Sequence, residues 1–371
     1  MRVLHVETRH RRGGAERNVA HTVGWELDQG FEVHLAVGRD SLDSELPHGA
    51  VAHVIPDLVR SVSPIRDIRA LRQLRRLVRR YSFDVVHTHQ SKAGVLGRLA
   101  ARGTAPVILH TIHMASFGPA YNPVASMGFQ VAERYCAPWT TRIISVGREL
   151  ATMYLDAGIG RKEQYIVIRS PIDLTGLERV RSATPAERAA AKAAFGLSVD
   201  VPVALVLASL EPRKRVDLIL RSLAPRIAAG RLQLLIGGEG PERGKLETLA
   251  AELDIADHVR FAGHMNDVAL GLAAANVLVH AATVEGVPQV VIQAFAAGLP
   301  VVATEMIGLR EFDEAPVEIV SPSGRDLADG VGRALAEIPG PVPTTDLVEW
   351  APASVETALA ELHSTLSATA K

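Results

Sequence analysis

Short runs rich in Val, Ile and Leu recur along this chain of 371 residues, and an amphipathic helical stretch follows each of them. This alternation is typical of parallel strands that helices bury on both faces, so the sequence predicts an α/β fold. The strands predicted in the first half span residues 3–6, 32–37, 84–87, 106–110, 142–145 and 165–168. Those predicted in the second half span residues 203–208, 233–236, 258–261, 277–280 and 300–303.

Two doubly wound domains account for this pattern, since about 150 residues make one domain of ordinary size. We predict a first domain over residues 1–170 and a second over 202–345, joined by a linker over 171–201 that has no strand-like run. Residues 346–371 add a C-terminal helical stretch with Val355, Leu359, Leu362 and Leu366 on one face. This apolar face predicts that the helix crosses back to pack on one of the two domains.

The charge balance excludes nucleic acid as a general partner. Lys and Arg number 40 against 41 Asp and Glu, a formal net charge of -1, which leaves no overall field to hold a polyanion. A single cysteine, Cys136, excludes an internal disulfide framework and fits a reducing compartment. The opening strand-like run is too short and too soon charged for a signal peptide, so we expect a cytoplasmic location.

Loops that follow strands carry the chemistry in open α/β sheets, because ligands bind at the carboxyl ends of the strands. Gly13 and Gly14 stand between the first predicted strand and its helix, which indicates either an anion site or a tight turn. A second glycine loop begins at Gly238. It resembles a dinucleotide fingerprint, but Arg243 occupies the position of the third glycine, which disfavours a nicotinamide or flavin enzyme.

Residues 284–300 are the most informative stretch. Pro288 at the first helical position and Gly298 just past the end delimit one short helix. The free amides at its start and the neighbouring Glu285 predict a site for a phosphate beside a polyol.

Together these motifs resemble the retaining glycosyltransferases of family 4, whose GT-B architecture has two facing Rossmann-like domains. The resemblance covers nearly the whole chain. It rests on Gly13-Gly14-Ala15-Glu16, residues 84–94, His110-Thr111-Ile112-His113, Leu210-Glu211-Pro212-Arg213-Lys214, Gly238-Glu239-Gly240-Pro241 and the helix after Glu285. The activity implied is transfer of a sugar from a nucleoside diphosphate sugar to an acceptor sugar, glycolipid or small molecule, with a second domain that binds the donor.

The resemblance also implies roles for individual residues. Lys214 is expected to hold the donor diphosphate, Glu285 to hydrogen-bond hydroxyls of the donor sugar, and His113 to lie near that sugar as the third catalytic residue. No metal and no cofactor besides the co-substrate is expected. The other donor-binding residues implied are Gly13, Gly14, Ser209, Arg213, Gly238, Phe261, Gly263, His264, Gly286, Val287, Pro288, Gln289, Val290 and Gln293.

The sequence departs from the family pattern at three places. Gln293 stands where the motif has its second glutamate, Ser209 replaces a phosphate-binding arginine, and Ser170-Pro171 replaces Asn-Gly. An amide loses the charge-assisted bonds that the glutamate makes to the ribose hydroxyls, a difference of roughly 1–2 kcal/mol. We therefore hypothesise a donor whose ribose is bound less tightly, a deoxythymidine diphosphate sugar. The same departures leave open a GT-B protein that binds a nucleotide sugar without transferring it.

The first domain supplies the acceptor side in the resembled family. We predict acceptor contacts from Arg9, Arg12 and His89, the arginines favouring an anionic acceptor. The pairs His87/His89 and His110/His113 keep a second alternative open, a metal-dependent hydrolase. The stretch from Arg66 to Arg80 carries seven arginines around apolar positions, which indicates either a solvated surface helix or weak peripheral contact with an anionic membrane.

Overall fold

The chain forms two compact units in the computed structural model, which describes residues 1–10, 13–41, 46–312, 317–336 and 344–369. The first unit contains Met1–Pro171 together with Glu349–Lys371, and the second contains Ile172–Val348. Each unit is built on one parallel sheet covered by helices, so the predicted α/β class with two Rossmann-like domains is confirmed.

The first sheet has the order β3-β2-β1-β4-β5-β6-β7. Its strands are β1 (Arg2–Glu7), β2 (Glu32–Gly38), β3 (Val51–Ile55), β4 (Val85–His89), β5 (Val107–Ile112), β6 (Arg142–Ser145) and β7 (Tyr165–Val167). The second sheet has the order β10-β9-β8-β11-β12-β13. Its strands are β8 (Val203–Leu207), β9 (Gln233–Gly237), β10 (Val259–Gly263), β11 (Val277–His280), β12 (Val301–Thr304) and β13 (Val317–Val320).

The helices of the first unit are α1 (Gly14–Asp28), α2 (Pro64–Tyr81), α3 (Ser91–Ala101), α4 (Pro123–Cys136), α5 (Arg148–Asp156) and the C-terminal α13 (Pro352–Thr369). Those of the second unit are α6 (Leu177–Arg181), α7 (Pro185–Ala194), α8 (Val216–Ala228), α9 (Arg243–Glu252), α10 (Val268–Ala274), α11 (Gln289–Ala296) and α12 (Gly324–Ala336). None of the helices described is both long enough and apolar enough to cross a bilayer.

Two strands were not predicted, β3 and β13, and each lies at the edge of its sheet. Central strands such as β1 and β8 are buried along nearly their whole length, whereas most residues of β3 and β13 are exposed or half-buried. An edge strand does not need an unbroken apolar run, so the pattern that identifies the central strands is absent there.

The segment predicted as a linker, residues 171–201, folds mainly as part of the second unit. It contains α6 and α7, and both helices pack against α10. The C-terminal helix α13 belongs to the first unit, where its predicted apolar face is buried against β1, β4 and β5. The residues of that face are Val355, Leu359, Leu362 and Leu366.

Candidate functional site

Each sheet reverses its strand order at one point, between β1 and β4 in the first unit and between β8 and β11 in the second. Loops that follow the two strands at such a point diverge and leave a crevice at the carboxyl edge of the sheet, which is where open α/β sheets bind ligands. The predicted site residues Gly13, His89, Lys214 and Glu285 all lie on or next to these loops. The fold therefore provides one candidate site in each unit.

In the first unit, Gln90 ties the loops after β1 and β4 together. Its Oε1 accepts a hydrogen bond from the amide of Thr8 (3.1 Å), and its Nε2 donates to the carbonyl oxygen of Arg9 (3.2 Å). Gln90 has a φ of 61°, a conformation that side-chain-bearing residues rarely adopt. These hydrogen bonds hold that conformation and set the shape of the crevice wall.

The glycine loop of the first unit ends at α1, with Gly13 as the N-cap and Gly14 as the first helical residue. The carboxylate of Glu16 lies against Gly13, where any side chain would displace it. Arg9 Nε is 3.9 Å from Glu16 Oε1, so a negative charge already faces the arginine that was predicted to attract an anionic acceptor. Arg12, the other arginine of that prediction, lies outside the described residues.

Four histidines meet beneath this crevice. His5 on β1 and His87 and His89 on β4 are buried, and His113, after β5, is half-buried. Burial lowers the pKa of His87 and of His89 well below the ordinary value, and it lowers the pKa of His113 to about 4. His87, His89 and His113 are therefore neutral at physiological pH.

His89, which was predicted to contact an acceptor, is buried between two other histidines. Its Nε2 is 2.9 Å from His5 Nδ1, and its Nδ1 is 3.1 Å from His113 Nε2. With both ring nitrogens occupied and only 1% of the residue exposed, His89 can act on a substrate only through His113.

The structure groups the histidines that were considered as metal ligands differently from the predicted pairs. Within the part of the chain that is described, nitrogen atoms of His5, His87 and His89 lie within 4.8 Å of one another. His110 is not in this group and hydrogen-bonds instead to a threonine of β4. His113 reaches the group only through its hydrogen bond to His89. The geometry therefore does not combine His87/His89 with His110/His113 as the hydrolase alternative required.

In the second unit, Arg213 ties the loop after β8 to the loop after β11. Its carbonyl oxygen accepts a hydrogen bond from the amide of Thr283 (2.8 Å), and its Nη1 donates to the carbonyl oxygen of Val284 (3.3 Å). Its Nε also pairs with Glu211 Oε2 at 2.8 Å. Arg213 thus holds together the two walls of the second crevice.

Lys214 and Glu285, two of the three predicted catalytic residues, form an ion pair in that crevice. Their side chains are only 12% and 14% exposed. Arg213 Nη1 lies 3.7 Å and His280 Nε2 lies 3.6 Å from the same oxygen of Glu285. Burial opposes ionisation of Glu285, but the charge of Lys214 and the contacts with His280 and Arg213 outweigh it and lower the pKa to about 2. The site therefore holds a permanent carboxylate next to an ammonium group.

The second glycine loop is held by backbone contacts with its neighbours. The amide of Gly238 donates to the carbonyl oxygen of Gly263 (2.6 Å), the residue that follows a bulge in β10. Gly238 has a φ of 140°, and a Cβ there would overlap the carbonyl oxygen of Ala208. Arg243, in place of the third fingerprint glycine, binds Glu239 Oε1 (2.5 Å) and the carbonyl oxygen of Phe261 (3.4 Å). The loops after β8, β9 and β10 are therefore brought together at one edge.

Helix α11 begins one residue later than the sequence predicted. Pro288 is its N-cap rather than its first helical residue, and Gly298 adopts a φ of 71° just past the end, as predicted. Gly286 is buried, and Gly308 approaches its carbonyl oxygen so closely that a Cβ at 308 would overlap it. The amide of Val291 donates to the carbonyl oxygen of Pro288 (3.0 Å). The two amides before it, those of Gln289 and Val290, have no acceptor one turn back within the helix, so they are available to an anion.

The remaining predicted donor-binding residues lie around this edge with different exposures. Ser209 and His264 are exposed, and Phe261 packs against the core of the second unit. The half-buried residues are Val287, Gln289, Val290 and Gln293. Sequence reasoning missed four residues that contact the predicted ones or their partners. They are His5, which hydrogen-bonds to His89, Glu26, which hydrogen-bonds to His5, His280, which lies next to Glu285, and Gly308, which lies against Gly286. Nothing in the sequence near them marks these partners, which come from distant segments.

Two family models match the chain, and together they cover both units. The model of Glycosyltransferase Family 4 matches residues 12–175, and the model of Glycosyl transferases group 1 matches residues 187–337. The chain belongs to the family 4 glycosyltransferases. This glycosyltransferase therefore has the GT-B class of fold and a role in carbohydrate biosynthesis, as the sequence motifs predicted.

Relatives agree with this assignment, and solved structures agree with the fold. A galactosyltransferase of Escherichia coli, UDP-Gal:alpha-D-GlcNAc-diphosphoundecaprenol alpha-1,3-galactosyltransferase, is 26% identical over 333 residues, which are 86% of this chain and 84% of the relative. The structure of Anabaena HepE in complex with UDP and glucose matches 98% of this chain and 99% of its own with a TM-score of 0.78 at 18% identity. Sucrose-phosphate synthase from Thermosynechococcus elongatus matches the whole of both chains with a TM-score of 0.82 at 19% identity.

Proposed function

We propose that this glycosyltransferase uses a nucleoside diphosphate sugar as its donor and transfers the sugar to an acceptor hydroxyl with retention of anomeric configuration. The observation that carries the proposal is the Lys214–Glu285 pair, which lies where the second sheet reverses its strand order, a few residues before α11. A cation beside free helix amides suits a diphosphate, and a carboxylate next to it suits the hydroxyls of a sugar.

In this reaction the nucleoside diphosphate is the leaving group. The ammonium of Lys214 and the amides between Gly286 and Val290 stabilise the negative charge that develops on it, while Pro288, which has no N–H, sets the start of the helix. Glu285, ionised because of its low pKa, accepts hydrogen bonds from hydroxyls of the donor sugar. These groups supply the positive charge themselves, so we expect transfer without a divalent cation.

The relatives support the donor and the kind of acceptor. The name of the Escherichia coli relative specifies a UDP-sugar donor and a diphosphoundecaprenol-linked acceptor, and HepE was solved with UDP. Other relatives are D-inositol 3-phosphate glycosyltransferases, one of them 29% identical over 67% of this chain and 57% of its own length, from Geodermatophilus obscurus. We propose that this chain acts in polysaccharide, glycolipid or natural-product glycoside synthesis.

A thermal-shift titration with UDP, GDP, ADP, dTDP and NAD tests the donor site. A ligand that binds only the folded protein at a hundredfold excess over its Kd stabilises it by about 2.7 kcal/mol. We expect one nucleoside diphosphate to raise the melting temperature of the wild type, and to raise that of Lys214→Ala much less. The control is Lys245→Ala, which replaces an exposed lysine of the same unit and should respond like the wild type. A response to NAD alone, or to none of the ligands, contradicts the proposal.

Turnover with the matching nucleotide sugar then separates an enzyme from a binding protein. Transfer that survives EDTA and retains the anomeric configuration supports the mechanism, whereas binding without any turnover favours the non-catalytic alternative. Replacing Gln293 by Glu tests which nucleoside the donor carries, since a carboxylate at this half-buried position of α11 adds charge-assisted bonds to a ribose diol, which deoxythymidine lacks. We propose a dTDP-sugar donor, and Gln293→Glu should shift preference towards UDP by about tenfold.

A second candidate property, peripheral membrane binding, is favoured by exposed apolar side chains in the first unit. On α2, Ile65 and Ile68 are 68% and 51% exposed, and on α4 the residues Val124, Met127 and Val131 are 74%, 62% and 57% exposed. Helix α3 contacts both α2 and α4, so these side chains belong to one layer of helices. The arginines exposed on α2 are Arg66, Arg69, Arg72, Arg75, Arg76, Arg79 and Arg80. We propose that this layer binds an anionic membrane surface.

Vesicle sedimentation tests this second proposal. The protein should sediment with vesicles that contain anionic lipid, should be released by high salt, and should not bind vesicles of neutral lipid. The double variant Ile65→Gln/Ile68→Gln should bind several-fold less, whereas Val199→Gln, an equally exposed apolar residue of the second unit, should bind normally. Equal binding by both variants would show that the α2 surface is not the contact.

A further inference from the structure

Three histidines from neighbouring strands gather beneath the first crevice. His5 lies on β1, His87 and His89 lie on β4, and the register of the two strands pairs His5 with His87. Side chains two residues apart on a strand point to the same face of a sheet, so all three rings share one face. At most 3% of each residue is exposed. We call His5, His87 and His89 the histidine cluster.

The spacing of the ring nitrogens suits a single metal ion. One nitrogen of each ring lies within 4.8 Å of the other two, and the nitrogens of His5 and His89 that face each other are 2.9 Å apart. Two nitrogens bound to one tetrahedral zinc ion at about 2.0–2.1 Å lie about 3.3 Å apart, so adjustments of less than about 1 Å at each ring bring the three nitrogens to one ion. Among the residues that the structure describes, this is the one group of three such side chains close enough to share an ion.

Each ring of the histidine cluster also hydrogen-bonds to a group outside it. The contacts are those of His5 Nε2 with Glu26 Oε2 (2.7 Å), of His87 Nε2 with Thr111 Oγ1 (2.7 Å) and of His89 Nδ1 with His113 Nε2 (3.1 Å). A histidine that ligates a metal through one nitrogen uses the other in a hydrogen bond of this kind, which fixes the orientation of the ring. One nitrogen of each ring is left for the ion. The ion takes the place of a proton there, so binding does not depend on which form the rings adopt without it.

Glu26 places a carboxyl group directly behind the cluster. It is completely buried on α1, and its other oxygen lies 3.3 Å from Nε2 of His363. A buried carboxylate is costly unless positive charge lies near it, and an ion bound to His5 supplies that charge across a single ring. A carboxylate that holds a histidine, which in turn holds zinc, is a recurrent arrangement around this metal.

The donor set selects the kind of ion. The cluster offers imidazole nitrogens alone, which suit zinc, whereas magnesium and calcium prefer oxygen ligands. We propose that His5, His87 and His89 bind one zinc ion, with water in the remaining position, and that the ion joins β1 to β4 where the first sheet reverses its strand order. The proposed diphosphate site belongs to the second unit, so the role assigned to the ion is to stabilise the first unit and not to hold the leaving group.

Metal analysis of the purified protein tests the site. The chain is purified without a metal-binding tag and without chelators, and we expect about one equivalent of zinc per chain, because the three ligands come from one chain. His5→Asn and His87→Asn should each lose nearly all of it. The matched control is His53→Asn. His53 Nε2 is 2.8 Å from Nδ1 of His34, which also contacts a carboxylate, but within the described part of the chain no third ligand joins this pair, so the zinc content should be unchanged.

Removal and return of the ion test its role. All three tryptophans belong to the first unit, so their fluorescence follows the unfolding of that unit. Zn²⁺ added to protein stripped with phenanthroline should raise the melting temperature read by fluorescence, since an ion that binds only the folded form stabilises it. Mg²⁺ should have no such effect, and stripped His5→Asn should respond to neither ion. Co²⁺ in the stripped wild type should give the visible absorption bands of a tetrahedral site.

X-ray absorption at the zinc edge of the wild type identifies the ligands even if the histidine variants fail to fold. We expect nitrogen and oxygen neighbours at about 2.0–2.1 Å with the scattering pattern of three imidazoles. A stripped wild type that gains neither stability from Zn²⁺ nor absorption from Co²⁺ would overturn the proposal. So would zinc retained in His5→Asn or an equal loss in His53→Asn, each of which would show an adventitious ion only. Absence of nucleotide binding and turnover in zinc-loaded protein would instead count against the proposed function and leave the zinc site standing.

Discussion

The Lys214–Glu285 ion pair should stabilise the folded second unit by more than an ordinary surface ion pair does. Lowering the pKa of Glu285 from 4.5 to about 2 corresponds to roughly 3 kcal/mol in favour of the ionised form, at 1.36 kcal/mol per pKa unit. His280 and Arg213 contribute part of this stabilisation of the carboxylate, so we attribute about 1–2 kcal/mol of it to Lys214. Lys214→Met should therefore destabilise the protein by about that amount, since it leaves a mostly buried carboxylate with weaker partners.

A double-mutant cycle isolates this energy. Urea unfolding is measured for Lys214→Met, Glu285→Gln, the double variant and the wild type, and the coupling energy should be about 1–2 kcal/mol at pH 7. The matched control is the pair Lys245–Glu242 of the same unit, with a distance of 2.7 Å and a lysine that is 77% exposed. Its coupling energy should be below about 0.5 kcal/mol.

The tryptophans show which unit a change affects. Trp25, Trp139 and Trp350 all belong to the first unit, so their fluorescence follows that unit while far-UV circular dichroism follows both. A shift in the dichroism transition without an equal shift in fluorescence locates the loss in the second unit.

The dependence on pH gives an independent check with a definite sign. The pKa of Glu285 is depressed by folding, so its contribution is complete above about pH 4.5 and is lost as the pH falls towards 2. Lys214→Met raises the folded-state pKa of Glu285 towards 4.5, so the acid-induced loss of stability that comes from this group should be smaller in the variant and should end at a higher pH than in the wild type. A coupling energy no larger than that of the control pair would refute the reasoning, because it would mean that Lys214 does not stabilise the Glu285 carboxylate.

Three further predictions concern the scaffold of the two crevices. Gly238→Ala should abolish nucleotide binding in the thermal-shift assay, because its Cβ would overlap a backbone carbonyl oxygen, whereas Gly244→Ala has open space and should bind normally. Arg98→Met should destabilise the protein by about 3–5 kcal/mol in urea, since it leaves Glu133 buried without its cation, and adding Glu133→Leu should recover most of the loss. Glu26 has a pKa lowered to about 2, so Glu26→Gln should flatten the acid-induced loss of stability between pH 4.5 and 2, measured by melting temperature.

The fold could be predicted from the sequence because its strands are buried on both faces. Strands such as β6 and β11 have the bounds that their apolar runs predicted. The edge strands β3 and β13 were missed because half-exposed strands tolerate polar residues, and α6 and α7 were taken for a linker because short helices without a strand between them resemble one. The elements that were missed or wrongly assigned are therefore those that are only partly buried.

The candidate sites could be predicted only where the residues are close in sequence. Glycines and a carboxylate next to strand ends pointed to Gly13 and Glu285, since the loop after a strand has a known place in this fold, and the family resemblance pointed to Lys214. The hydrogen bonds from Glu26 to His5, from His5 to His89 and from His89 to His113 join residues that are 21, 84 and 24 positions apart. Their geometry depends on the register of β1 with β4, which places His5 beside His87. Without that register, the alternating histidines of β4 carry no information about their partners.

The two crevices differ in charge, and this difference matches the substrates proposed for them. In the first, burial holds His89 and His113 neutral, so these two rings offer lone pairs and hydrogens rather than charge, and the opposite charges of Arg9 and Glu16 face each other. In the second, Lys214 and Arg213 face carboxylates within a few ångströms, and a diphosphate that enters must compete with Glu285 for the ammonium group. A ligand that has both phosphates and hydroxyls can satisfy Lys214 and Glu285 at once. Its phosphates replace the Glu285 carboxylate as the partner of Lys214, and its hydroxyls donate hydrogen bonds to the carboxylate that is released. A free phosphate supplies only the first of these exchanges, which is the physical reason to expect that this site prefers a nucleotide sugar to an inorganic anion.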